Sequence, residues 1–176
     1  KKNETFIEKK VLIGDKFFQK KKIKVKIKKI NSDAYINFLN KIYNFNFKEQ
    51  IIIDCANGSL SPYIKKLKFL KKNETINVSS LGNKINYKCG TNFLKTNYKK
   101  PPYNRFNYCL AFDGDADRFL ISKKKYGVIE TEKIALIFAL FFAKKKKINN
   151  IISTEISNPW LKEELKKIKI KNINSK

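Results

Sequence analysis

Tyr108-Cys109-Leu110-Ala111-Phe112-Asp113-Gly114-Asp115-Ala116-Asp117-Arg118-Phe119-Leu120-Ile121 sets an acidic loop between two apolar runs. Tyr108–Phe112 reads as a short strand that runs straight into the loop. Phe119–Ile121 reads as the strand that leaves it, ahead of a Lys-rich turn at Gly127. Asp113, Asp115 and Asp117 alternate, and in an extended loop alternate side chains fall on one side. Carboxylates gathered this closely repel one another unless a cation sits between them. Hard oxygen ligands of this kind select Mg²⁺, Mn²⁺ or Ca²⁺ over softer metals. An EF-hand loop counted from Asp113 would need glycine and glutamate where Arg118 and Lys124 stand, so that reading fails. A solvated acidic turn explains one Asp-Gly pair. It does not explain strict alternation of aspartate in a chain with 15 acidic residues. Arg118 follows the ligands directly, and its fork can clamp a phosphate. A divalent ion beside a guanidinium suits phosphoryl transfer, because both neutralise charge on the moving group.

Upstream, Ile51-Ile52-Ile53 reads as a buried parallel strand ending in the polar turn Asp54-Cys55-Ala56-Asn57-Gly58. Asp54, Asn57 and Gly58 are expected to shape that turn and cap a helix. Tyr63, Ile64, Leu67 and Leu70 predict a helix from Pro62 through Leu70, and Ile76–Val78 a second strand, giving a β-α-β unit. If Tyr108–Phe112 is parallel to these strands, the acidic loop lies at the carboxyl end of a sheet, where α/β proteins bind ligands. Before this unit, Tyr35, Phe38, Leu39 and Ile42 recur at helical spacing behind a Ser32 or Asp33 cap. Residues 81–103 are loop-rich, with a short helix expected near Phe93-Leu94. Residues 1–28 are read as the tail of a preceding domain or a linker; alternation at 20–29 hints at a strand with one wet face.

Downstream, a helix is expected over 131–145, a strand at Ile151-Ile152, a helix starting at Ser157-Asn158-Pro159, and a strand near Ile168 and Ile170. Ser157 and Asn158 suit an N-cap, and Trp160 a core position. The longest apolar run, Ile134 to Ala143, is far short of the ~20 residues that cross a bilayer. It is expected to be a buried helix of a soluble domain, so no membrane partner is expected.

Composition bounds the partners. The formal net charge of the 176 residues is +25, carried almost wholly by lysine, because arginine occurs only at Arg105 and Arg118. Abundant Lys, Asn and Ile are what an A/T-rich genome writes by default. Arginine is the preferred reader of phosphates and base edges, and its scarcity argues against a nucleic-acid-binding module. Cys55, Cys89 and Cys109 form no C-x-x-C pair, and histidine is absent, so a zinc site is excluded. An odd, scattered set fits reduced, buried thiols and a cytoplasmic location. The chain begins at Lys1 and holds no Met, which is read as a start inside a longer product.

The acidic loop after Ala111-Phe112 resembles the metal loop of the α-D-phosphohexomutases. Asp54-Cys55-Ala56-Asn57-Gly58 resembles the turn that opens their second domain. Ile85-Asn86 with Cys89-Gly90 is similar to the N-I-N-x-x-C-G segment of the bacterial phosphoglucosamine mutase branch, with Lys84 in place of its first Asn. Ser157-Asn158 with Leu161 resembles a segment of the third domain. The resemblance covers roughly residues 31–176. It implies an α/β fold: a three-layer mixed-sheet second domain over 29–124, followed by the start of a similar third domain over 125–176. It also implies a four-domain enzyme in which a phosphoserine of the first domain exchanges phosphate with a hexose or hexosamine phosphate through a sugar bisphosphate. Mg²⁺ would be held by Asp113, Asp115, Asp117 and the phosphoserine, and Arg118 would contact that phosphate. Branches acting on mannose, glucose or acetylglucosamine phosphates share the loop. The sequence holds no T-A-S-H-N-P phosphoserine motif, and Glu130-Thr131-Glu132 stands where the family has Asp-Gly-Asp. On this reading the piece binds metal but needs the remaining domains of the same enzyme for catalysis.

Overall fold

Three consecutive isoleucines cannot all face one side of a strand, so a strand built from them must be covered on both faces. In the structure, a computed structural model that describes residues 2–12, 31–43, 48–79, 82–145, 148–154 and 157–175, β1 (Ile51–Asp54) is buried along its whole length. Ile51 and Ile53 pack on one face with Ile36, Ile64, Leu67 and Leu70. Ile52 packs on the other with Leu94, Tyr103, Cys109 and Ala111. The result is three layers: α2 (Asp33–Ile42) and the 62–70 connection, then the sheet, then α3 (Gly90–Asn97) with the loop carrying Tyr103.

The sheet has five strands in the order β2-β1-β3-β4-β5, with β2 at Glu74–Ile76, β3 at Tyr108–Phe112, β4 at Phe119–Lys123 and β5 at Gly127–Ile129. β1 runs parallel to both β2 and β3, and the β3–β4 and β4–β5 pairs are antiparallel. The sheet is therefore mixed, and β1 and β3 end side by side, with Asp54 opposite Ala111. That register sets the 54–58 turn beside the acidic loop.

Two expectations are corrected here. Residues 62–70 form no α-helix. They make two 3₁₀ turns, Ile64–Lys66 and Lys68–Leu70, joined at Leu67 in an extended conformation. The buried residues Ile64, Leu67 and Leu70 are spaced by three, which matches the 3₁₀ repeat and would drift around an α-helix. On α2 the inward residue is Ile36, while Tyr35, Phe38 and Ile42 are more than half exposed.

Beyond β5, α4 (Thr131–Lys144) packs Ala135, Leu136, Ala139 and Ala143 against α5 (Pro159–Lys167) and its neighbours. β6 (Asn150–Thr154) and β7 (Lys171–Ser175) pair in parallel, with α5 as the crossover. The expected full burial of the Ile134–Ala143 run does not hold: Ile137, Phe138 and Phe141 are at least half exposed, because only one face of α4 has a partner among the described residues. Asn158 caps α5 by accepting from the Trp160 N–H at 3.0 Å, and Trp160 packs half-buried against the α4–α5 cluster.

Residues Lys1–Ser32 form a separate unit, of which α1 (Lys2–Leu12) is described. The strand expected at 20–29 lies outside the described residues. No helix among the described residues is long and apolar enough to cross a membrane.

Candidate metal centre

β3 delivers Asp113 at its carboxyl end, and the chain reverses at once. The Asp113 N–H donates to the Arg118 carbonyl, the Ala116 N–H donates to the Asp113 carbonyl, and the Arg118 N–H donates to Asp113 Oδ1, each at 3.2 Å. Ala116 turns the corner with φ +62°, a left-handed conformation that L residues adopt at a cost. The aspartates thus converge by a turn rather than by the alternation of an extended segment. Ligand oxygens of Asp113, Asp115 and Asp117 lie within 4.8 Å of one another, and they form the only such acidic group found among the described residues. Asp113 is 4% exposed, whereas Asp115 and Asp117 face solvent. Glu130 and Glu132 are not part of the group; Glu130 sits at the start of α4 and pairs with Lys133 at 3.1 Å.

Arg118 folds back over the carboxylates. Its Nε lies 2.7 Å from Asp113 Oδ2 and 3.3 Å from Asp117 Oδ1. The contact with Asp113 Oδ2 is an ion pair by distance only: that oxygen is buried and accepts no hydrogen bond. Burial pushes the Asp113 carboxyl up, but the Arg118 N–H and guanidinium outweigh it and hold Asp113 below the usual carboxylate range. The Asp117 hydrogen bond, followed by the Asp113 charge, strengthens the hold of Arg118 on its proton.

A buried carboxylate beside two further carboxylates, its Oδ2 held by the Arg118 charge alone, fits a hard divalent cation such as Mg²⁺. Asp113, Asp115 and Asp117 are the residues that would hold it.

The floor of the site is the turn after β1. Ala56 and Asn57 are both left-handed, at φ +54° and +53°. Asp54 fixes this shape. It is fully buried and accepts from the Ala56 N–H (2.9 Å), Asn77 Nδ2 (3.0 Å), the Gly90 N–H (2.7 Å) and the Tyr103 hydroxyl (2.8 Å). The expected turn-shaping role holds, and the helix that Asp54 caps is α3, across space. Asn57 ties in the 79–89 segment by accepting from the Ser79 N–H at 3.0 Å and donating to the Lys84 carbonyl at 3.2 Å. The two loops then touch backbone to backbone: a Cβ on Gly58 would lie 2.1 Å from the Gly114 carbonyl oxygen, and one on Gly114 would lie 2.5 Å from Ile85 Cγ2.

Ser59 and Tyr103 carry no local sequence signal. Ser59 donates through its N–H to the Gly114 carbonyl and through Oγ to the Asp115 carbonyl, both at 2.8 Å. The surface between the loops is an open cleft of about 670 Å³ that includes Asn57, Ser59, Asn86, Asp113, Asp115 and Arg118.

The chain is 31% identical over 130 residues to the phosphoglucosamine mutase of Clostridioides difficile (strain 630), covering 70% of this chain and 29% of the relative. It is 31% identical over 150 residues to that of Staphylococcus aureus (strain JH9), covering 82% of this chain and 33% of the relative. It therefore spans about a third of the length of the curated relatives it matches. Its fold is similar to that of a phosphoglucomutase/phosphomannomutase family protein from Burkholderia thailandensis, with a TM-score of 0.58 at 17% identity over 82% of this chain and 33% of the other. No family model matches the sequence.

Proposed function

The chain belongs to the phosphohexomutase family, and from that premise we propose that it supplies the Mg²⁺-binding, phosphate-handling loop of an isomerase that interconverts glucosamine 6-phosphate and glucosamine 1-phosphate. The observation that carries the reading is the convergence of buried Asp113, charge-paired to Arg118, with Asp115 and Asp117 at the carboxyl ends of parallel β1 and β3. The glucosamine assignment rests on the relatives' names and on the Ile85-Asn86 and Cys89-Gly90 pattern. Mannose, glucose and acetylglucosamine phosphates are the competing substrates within the same chemistry.

In this proposal Asp113, Asp115 and Asp117 bind the ion, with buried Asp113 as the fixed member and the exposed pair as the adaptable ones. When bound, Mg²⁺ supplies a positive charge against the phosphoryl oxygens. Released from the carboxylates, the Arg118 fork would be free to clamp a phosphate in the same cleft. Asn57 and Asn86 line the cleft and present polar groups to the same space. The remaining domains of the enzyme, the phosphoserine included, complete the reaction. The division into a leading segment 1–28, a metal-loop domain 29–124 and the start of a further domain from 125 belongs to this proposal, with β5 joined by its hydrogen bonds to the first sheet. So does a cytoplasmic location, which fits three free cysteines.

Nucleic acid is not the proposed partner. Both arginines are committed to carboxylates: Arg105 pairs with Glu74, and Arg118 with Asp113 and Asp117.

The test has two parts. Calorimetry at fixed ionic strength should show saturable Mg²⁺ binding that vanishes in the Asp115→Ala, Asp117→Ala double variant. The protein expressed from its natural gene should convert glucosamine 6-phosphate faster than the mannose or glucose phosphates. Equal Mg²⁺ uptake by both proteins would reject the metal loop, and turnover of another sugar phosphate alone would move the substrate assignment.

A further inference from the structure

Asp115 is exposed, yet its direction is not left free. Two peptide planes flank its Cα, those of Gly114–Asp115 and Asp115–Ala116, and the carbonyl of each accepts from one residue, Ser59. The Ser59 N–H holds the first plane and the Ser59 hydroxyl the second, both at 2.8 Å. Fixing both planes fixes the Cα–Cβ vector between them, and so the region its carboxylate can sweep. The second plane also sets φ of Ala116, which is +62°. An alanine there relaxes toward the right-handed region unless something holds it. Relaxation would rotate the segment 116–117 and carry Asp117 away from Asp113. Among the described residues, Ser59 is the one outside the loop whose side chain hydrogen-bonds to the loop backbone. Ser59 itself is well seated, because it follows Gly58, whose missing Cβ lets the 54–58 turn lie against the Gly114 carbonyl, and that turn is pinned by buried Asp54.

We propose that Ser59 is a positioning residue for the metal loop: its hydroxyl holds the Asp115–Ala116 peptide so that Asp115 and Asp117 meet over Asp113 before a cation arrives. The inference rests on the metal-loop reading given above. It predicts tighter divalent-ion binding than an identical Asp-Gly-Asp-Ala-Asp loop with alanine at 59 would achieve. It assigns that gain to the side chain, since an alanine keeps the backbone bond to Gly114.

The experiment is Mn²⁺ binding to the full 176-residue chain, followed by the electron paramagnetic resonance signal of free Mn²⁺ at fixed ionic strength. The proteins are the natural sequence, Ser59→Ala, Ser59→Thr and the Asp115→Ala, Asp117→Ala double variant, with thermal melting of each recorded without metal. Ser59→Ala should weaken Mn²⁺ binding about threefold to tenfold, the weight of one hydrogen bond, with melting little changed, and Ser59→Thr should restore it. Natural-strength binding in Ser59→Ala, with loss in the double variant, overturns the positioning role and leaves the metal loop standing. Weakening in Ser59→Ala that Ser59→Thr fails to restore also overturns it, because the hydroxyl is then not the cause. Absence of Mn²⁺ binding in the natural sequence, or binding that survives in the double variant, overturns the metal-loop reading and this inference with it.

Discussion

Asp54 ties distant parts of the chain together, because four donors end on its two oxygens. Removing it leaves the Gly90 N–H and the Tyr103 hydroxyl buried without an acceptor, and each orphan costs the desolvation it suffered on folding. Asp54→Ala should therefore lower unfolding free energy in urea by about 2–6 kcal/mol, from two buried orphans at ~1–3 kcal/mol each. Asp54→Asn keeps the shape but offers one acceptor oxygen, and should cost about 1–3 kcal/mol. A loss under ~0.5 kcal/mol for the alanine, the scale of an ordinary surface substitution, would mean that water satisfies those donors. The same carboxylate acts on the thiols. Burial first, and the Asp54 charge second, push Cys55 and Cys109 up to about 12 and Cys89 to about 11. A folded value above the unfolded one leaves stability whole below the ordinary thiol pKa of ~8.5 and removes it as pH climbs through the folded values. Native protein should therefore be silent to a thiol-selective disulfide reagent at pH 8 and react in denaturant. Its urea midpoint should fall between pH 9 and 12, as ~8.5 is passed and the folded values are approached. Rapid native labelling would show that the thiols are not enclosed.

Between elements, the decisive contact is backbone on backbone. The turn after β1 and the loop after β3 close to a distance that leaves no room for a methyl group at Gly58. Gly58→Ala must push the loops apart, since the obstacle is the Gly114 carbonyl and cannot rotate away as a side chain can. The expected outcome is at least tenfold weaker Mn²⁺ binding together with a stability loss of about 1–3 kcal/mol, the range of overpacking in a tight site. Unchanged binding would show that the loops are not coupled. This contact marks what the sequence makes legible. β1, β3, β4 and the acidic loop are readable because polar residues interrupt apolar runs, and α3, α4 and α5 from spacing and caps. The 62–70 segment misleads, because Ile64, Leu67 and Leu70 satisfy a loose helical spacing while their strict interval of three belongs to 3₁₀ turns. The partners of Asp54 are unreadable for a different reason: Asn77, Gly90 and Tyr103 lie 23, 36 and 49 residues away, so only the folded sheet brings them together. Ser59 is invisible in the same way, as its partner carbonyl is 56 residues distant.

For the molecule as a whole, the dominant fact is a formal net charge of +25. Self-repulsion on this scale works against the compact state, and salt relieves it within a Debye length of ~10 Å at 0.1 M. The described ion pairs are mostly exposed, such as Lys66–Asp33 and Lys133–Glu130, and contribute little that salt could take away. Raising NaCl from about 10 to 150 mM should therefore raise the melting temperature, by about 2–8 °C if the relief is ~1–2 kcal/mol. A fall would mean that attraction, not repulsion, governs the charge balance. The acidic loop is the exception in this field, a compact cluster of negative charge on a positive body, and it makes a sharper comparison possible. NaCl and MgCl₂ at matched ionic strength screen the lysines to a similar degree, but only the divalent ion fills a site that the native state has and the unfolded chain lacks. Binding to the native state alone adds RT ln(1 + [L]/Kd). At tenfold excess over Kd that amounts to about 1.4 kcal/mol, which adds a further ~2–6 °C to the melting temperature on the same scale. The increment should disappear in the Asp115→Ala, Asp117→Ala variant while the NaCl response persists. If both proteins respond equally to MgCl₂, the ion acts on the general field of the chain, and the loop has no part in it.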